Sequence, residues 1–207
     1  MKIKICGIKY KENLKDIIKL NPDFIGFNFY PLSARYIDTS LSPADLDVIP
    51  GKIKKTGIFV NQDEHEVSEI SGKYRLDYVQ LHGNESADIC KSLNSTGLKL
   101  IKAFGINKDF NFETLKAYIP WCEFILFDTP TVKYGGSGQK FDWRLLEEYK
   151  SAHPFFLSGG IKPEDAHRLM DLSIPALAGF DINSGFESEP GYKDIGLLTE
   201  FFKFIKQ

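Results

Sequence analysis

Short apolar runs and stretches of helical spacing alternate along the whole chain. The runs are Lys2–Cys6, Phe24–Phe29, Lys54–Val60, Tyr78–His82, Lys99–Phe104, Phe124–Asp128, Phe155–Ser158 and Ala178–Ile182. Most are continuously apolar rather than alternating, which is the pattern of parallel strands covered on both faces. Between them, apolar residues recur at helical spacing. Leu14, Ile17 and Ile18 share a face, as do Val67, Ile70 and Tyr74, then Phe112, Leu115 and Ile119, and finally Leu198, Phe201, Phe202 and Ile205. Pro43 and Pro163 suit the first turns of helices over Leu41–Ile49 and Glu164–Met170. Strand then helix, repeated about eight times, predicts a parallel α/β fold. A single (β/α)8 barrel domain over residues 1–207 is the expected form, with an open doubly wound sheet as the alternative.

Composition narrows the function without naming it. Twenty-six basic and 28 acidic side chains leave a net charge of −2, so nothing favours nucleic acid or an anionic membrane as partner. No apolar run approaches the roughly 20 residues of a membrane-spanning helix, and Met1–Gly7 is too broken by lysine for a secretory signal. Cys6, Cys90 and Cys122 are widely spaced, which suits a reducing cytoplasm rather than a disulfide framework or a zinc site. Neither a metal nor a redox cofactor has a motif. Monomer and homodimer are both compatible with the pattern.

In such a barrel the active site forms at the C-terminal ends of the strands, and polar residues collect there. Cys6 ends the first run; it reads either as a buried small hydrophobe or, as thiolate, as a base. Asp128 ends the sixth, where partial desolvation favours a proton donor; a plainer role is to hydrogen-bond the loop that follows. Arg35, in the loop after the second run, carries a planar fork suited to carboxylate or phosphate, unless it is simply solvated. His82 reads as a supporting donor or a loop histidine. Gly159-Gly160 and Asn183-Ser184-Gly185 follow the last two runs, the usual phosphate seat of barrels; ordinary turn chemistry is the alternative. The glycine-rich Gly135–Gly138 stretch after Asp128 reads as a lid or a plain surface loop.

Taken together, these stretches carry a resemblance. Lys4-Ile5-Cys6-Gly7-Ile8, Gly26 through Arg35, Gly57–Asn61, Val79–Glu85, Phe127-Asp128-Thr129, Gly135–Trp143, Leu157–Ile161 and Phe180–Glu187 stand in the order and spacing of the phosphoribosylanthranilate isomerases. The chain resembles that family along nearly its whole length. It departs at Ala34, where proline is usual, and at Phe186, where valine is common. The resemblance implies an Amadori rearrangement of N-(5-phosphoribosyl)anthranilate to the corresponding aminoketose phosphate in tryptophan biosynthesis, without cofactor. It implies Asp128 as acid, Cys6 as base, Arg35 on the anthranilate carboxylate, and Gly159, Gly160, Asn183 and Ser184 on the phosphate. A sister barrel isomerase that uses two aspartates fits less well, because the first run ends in cysteine. A catalytically silent barrel that binds a phosphorylated ligand is the rival from another class.

Overall fold

Each of the eight apolar runs becomes a strand, within about two residues of its expected ends. The computed structural model describes residues 1–130 and 141–206. The strands are β1 (Lys2–Ile5), β2 (Phe24–Asn28), β3 (Lys54–Phe59), β4 (Tyr78–Leu81), β5 (Leu100–Gly105), β6 (Phe124–Asp128), β7 (Phe155–Leu157) and β8 (Leu177–Ile182). Each pairs in parallel with its neighbours in sequence, and β8 closes onto β1 with Lys4 opposite Asp181 and Ile5 opposite Ile182. Closure excludes the open doubly wound sheet, which would leave two free edges. The Gly135–Gly138 stretch lies outside the described residues.

The helices bury an apolar stripe, some of them behind a side-chain cap. In α1 (Lys11–Lys19) Leu14 and Ile17 are buried, and in α3 (Glu64–Tyr74) Val67 and Tyr74 are, behind an Asp63 side chain that caps the His65 N–H. Four stretches differ from expectation. Leu41–Ile49 supplies only one turn, α2 (Pro43–Leu46). A further helix, α4 (Ala87–Ser95), forms on a sparse stripe of Cys90 and Leu93 with Ser86 as its cap. Phe112–Ala117 is a 3-10 helix rather than an α-helix, and a 3-10 turn at Pro163–Asp165 precedes α5 (Ala166–Met170). Such tighter turns rise about 2.0 Å per residue against about 1.5 Å, so a short segment spans more of the connection. The chain ends in α6 (Ile195–Ile205), which buries Leu198, Phe201, Phe202 and Ile205.

Inside the barrel, side chains alternate in layers. Phe24, Tyr78, Phe124 and Phe156 plug the N-terminal end, with the Phe24 ring 5.2 Å from Tyr78 and 5.3 Å from Phe156, edge to face. Two residues on from Phe124 is Leu126, and two beyond that is Asp128. The same period that builds the plug thus delivers polar groups to the opposite mouth. After β8 the chain makes a small antiparallel hairpin, β9 (Glu187–Glu189) and β10 (Tyr192–Lys193). Its second strand is tied to α1 by Asn13, whose amide donates to the Lys193 carbonyl at 2.9 Å and whose carbonyl accepts the Lys193 N–H at 2.7 Å.

Candidate active site

Cys6 is the first residue past β1, and its position is fixed from both sides. Its N–H donates to the Ile182 carbonyl at 2.9 Å, and the next two N–H groups both donate to the Gly26 carbonyl. Gly26 leaves the space the thiol needs: a Cβ there would stand 3.1 Å from Sγ. Gly7 has φ +75°, and a Cβ on it would stand 2.6 Å from Arg35 Cδ and 2.8 Å from Asn183 Oδ1. A glycine at this point therefore lets the loops after β2 and β8 close over the end of β1.

Beneath Cys6 lies a buried ion pair, Lys4 Nζ to Asp181 Oδ1 at 3.0 Å, with side chains 0% and 5% exposed. Burial works to lower the Lys4 ammonium, but Asp181 and Cys6 together outweigh it and hold Lys4 above its ordinary value. Burial pushes the Asp181 carboxyl up, against the pull of Lys4. Burial also pushes the Cys6 thiol up, opposed chiefly by Lys4; the Asp181 carboxylate adds to the rise, and Lys193 opposes it less strongly. The unliganded site therefore favours the thiol rather than the thiolate a catalytic base requires. The reason is physical: a thiolate in this closed pocket loses more hydration than the nearby ammonium groups return.

Asp128, at the end of β6, accepts the Thr129 N–H at 2.7 Å on Oδ1. Its Oδ2 lies 3.3 Å from His82 Nε2. The Gln80 amide nitrogen, which can only donate, lies 3.3 Å from His82 Nδ1. With Gln80 donating to Nδ1, the His82 N–H is on Nε2 and faces Asp128. Asp128 thus contacts the loop that follows it, and His82 contacts Asp128.

Gly159 and Gly160 both have positive φ, +91° and +62°. A Cβ on Gly159 would collide with Thr129 Oγ1 and stand 3.0 Å from Asp128 Oδ1. A Cβ on Gly185 would meet the Ile161 carbonyl. The loops after β7 and β8 are therefore pressed together, with a run of left-handed backbone of the kind that presents N–H groups to an anion. Ser184 opens a 3-10 turn over Ser184–Phe186. The Asn183 side chain is engaged elsewhere, its Oδ1 accepting from Lys193 Nζ at 2.7 Å.

Arg35 is buried rather than solvated. Its Nε and Nη2 donate to the Glu187 carboxylate, the shortest contact 2.6 Å, and Lys193 Nζ donates to the same carboxylate at 2.6 Å. Burial raises Glu187, but Arg35 and Lys193 more than reverse that and hold it below its usual value.

A constellation of Cys6, Asp128 and a double-glycine loop on a closed eight-stranded barrel can be set beside known proteins. The profile of the N-(5'-phosphoribosyl)anthranilate (PRA) isomerases matches residues 3–204. The chain belongs to this family. The isomerase of Parabacteroides distasonis is 43% identical over 99% of this chain and 93% of its own. The crystal structure of the Thermotoga maritima enzyme superposes with a TM-score of 0.82 at 34% identity, covering 100% of this chain and 98% of that one. A phosphoribosylanthranilate isomerase solved with reduced 1-(o-carboxyphenylamino)-1-deoxyribulose 5-phosphate superposes at 0.79 with 30% identity and the same coverage. No helix among the described residues is long and apolar enough to cross a membrane.

Of the residues singled out in the sequence, the structure sets His82, Asp128 and Gly159 against one another, and the loops of Arg35 and Asn183 close over Gly7 beside Cys6; it adds four more, Lys4, Asp181, Glu187 and Lys193. Two of these were detectable in principle. Lys4 and Asp181 are charged residues inside strands otherwise covered on both faces, where a charge is stable only when paired. Lys193 left no such signal, because its spacing from Arg35 in sequence says nothing of their meeting.

Proposed function

We propose that this barrel isomerises N-(5-phosphoribosyl)anthranilate to 1-(2-carboxyphenylamino)-1-deoxyribulose 5-phosphate, with Asp128 as acid and Cys6 as base. The carrying observation is that a buried cysteine and a partly exposed carboxylate end strands of one closed barrel, beside a double-glycine loop, in a chain of the PRA isomerase family. Asp128 gives its proton to the ribose ring oxygen. The C1–O bond breaks as the anilino nitrogen lone pair forms the iminium. Cys6 then removes the proton from C2, and the electron pair of that C–H bond neutralises the iminium to give the enolamine. Proton return at C1 with loss of the enol proton gives the ketone.

The competent form carries a proton on Asp128 and none on Cys6. The iminium places a positive charge beside Cys6 at the step that needs a thiolate, which offsets the upward push of burial. His82, with its proton on Nε2, is placed to hydrogen-bond the carboxylate that Asp128 becomes. Arg35 receives the anthranilate carboxylate. Backbone N–H groups around Gly159, Gly160 and Ser184 receive the phosphate, with Asn183 shaping that loop through its bond to Lys193.

The test is complementation. A bacterial strain lacking this isomerase should grow without tryptophan when it expresses the chain, and should not when it expresses Cys6→Ser. A strain that remains auxotrophic with abundant, folded wild-type protein would favour the silent ligand-binding barrel instead.

A further inference from the structure

We infer that Glu187 and Lys193, on the hairpin after β8, are positioning residues that mount Arg35 for the substrate carboxylate. The inference rests on the reading of Arg35 given above and goes beyond it to the groups that aim the guanidinium. Glu187 takes one edge of Arg35. Nε donates to its two oxygens at 2.9 and 3.1 Å, and Nη2 donates at 2.6 Å. A guanidinium has five N–H donors. Among the described residues its bonds come from Nε and Nη2 alone, so the Nη1–Nη2 edge keeps a fork for a second carboxylate.

A lone Glu187 would cancel the charge of Arg35 and weaken that second contact. Lys193 restores it. Its Nζ, on a side chain 0% exposed, reaches Glu187 Oε1 at 2.6 Å. The three groups Arg35, Glu187 and Lys193 sum to +1 when all are charged, so the cluster still attracts one anion. The hairpin that carries both residues is rigidly seated. Glu187 also accepts the Gly191 N–H at 3.1 Å, and the backbone of Lys193 is clamped in both directions by Asn13 of α1. Arg35 is held on its other side as well, its stem packed over Gly7, where only glycine leaves room. A side chain of this length would otherwise lose rotamer entropy on gripping its ligand; here it is already ordered.

The experiment compares two ligands by calorimetry: the reduced aminoketose phosphate bearing the 2-carboxyphenyl group, and its counterpart bearing plain phenyl. The ratio of their affinities reads the carboxylate contact alone. Lys193→Met and Glu187→Gln should each lower the ratio by about tenfold or more, the size of one hydrogen bond to a charged group. Affinity for the phenyl ligand should stay within about twofold of wild type in Glu187→Gln; in Lys193→Met, which also loses the bond to Asn183, it falls too, and there the ratio alone reads the mount. Lys193→Arg should recover most of the ratio. If Lys193→Met does not fold, as judged by circular dichroism and a thermal melt, the isosteric Glu187→Gln decides. A folded variant that keeps the wild-type ratio, or that loses both ligands equally, overturns the mount. Arg35→Ala separates the two layers of the argument: it should bring the ratio near one. If it does not, the carboxylate role of Arg35 fails, whatever the hairpin variants do.

Discussion

Replacing Lys4 by methionine removes one half of the ion pair beneath Cys6 and leaves a chain of similar length in its place. At the observed 3.0 Å, an effective dielectric of about 20 gives an attraction of about 5.5 kcal/mol. Bringing both ions out of water costs several kcal/mol each, so the intact pair is near neutral for stability. Removing Lys4 alone leaves Asp181, 5% exposed, with its desolvation and without its partner. The expected loss is about 3–5 kcal/mol, a large share of the roughly 5–15 kcal/mol that holds a domain together. The sign with pH follows from Asp181. Burial already pushes its carboxyl up, and without Lys4 nothing of comparable size pulls it back. Its folded pKa then lies above the unfolded value, the folded state binds the extra proton, and stability rises as pH falls. Lys4 itself is raised in the wild type, so its contribution is complete below its unfolded value and is lost only in strong alkali. Urea melts of wild type and Lys4→Met should therefore show a deficit that is largest near about pH 7 and shrinks toward about pH 5. Lys4→Met combined with Asp181→Leu should recover most of it. A deficit below about 1 kcal/mol, or one that grows as pH falls, would mean that Asp181 is not an uncompensated charge in the variant and would refute the argument.

Other consequences are as direct. Cys6→Ser should keep the wild-type circular dichroism spectrum and lose nearly all turnover, because a hydroxyl is a much weaker base than a thiolate; a wild-type-like kcat would remove Cys6 from its role. Asp128→Asn should lose about 10²- to 10⁴-fold in kcat, the usual contribution of a general acid, and a loss below about tenfold would point to another proton donor. Gly160→Val places a β-branched residue at φ +62° in the proposed phosphate seat. It should weaken binding of inorganic phosphate, read by calorimetry, far more than Lys162→Ala, whose side chain is half exposed and faces Glu164. Phe24→Ala should cost about 3–5 kcal/mol in a urea melt, since it opens the aromatic plug of the barrel; a loss under about 1 kcal/mol would mean that the plug collapses around the gap.

The strands were legible because burial on both faces writes itself as unbroken apolar runs, and Phe124–Asp128 was placed to the residue. Connections were less so. Cys90 and Leu93 make a stripe too thin to separate from a loop, and the 3-10 form of Phe112–Ala117 depends on the distance to be spanned, which periodicity does not record. In the site, residues next to strand ends stood out: Cys6, His82, Asp128, Gly159 and Asn183 all lie where the barrel rule puts them. What escaped was pairing across the closure. Lys4 and Asp181 are 177 positions apart, and Arg35 and Glu187 are 152 apart. Only the closing of β8 onto β1 makes them neighbours. The resting state of Cys6 escaped for a related reason: it depends on how completely its surroundings shut out water, and one strand alone does not determine that.

The most direct measurement is turnover of freshly formed N-(5-phosphoribosyl)anthranilate by the purified chain, followed as loss of anthranilate-type fluorescence, with wild type, Cys6→Ser and Asp128→Asn measured side by side. The account predicts rapid loss with wild type and near-background rates with both variants, all three equally folded. Wild-type protein that binds the substrate without consuming it, or a Cys6→Ser variant that turns over as wild type does, would contradict it.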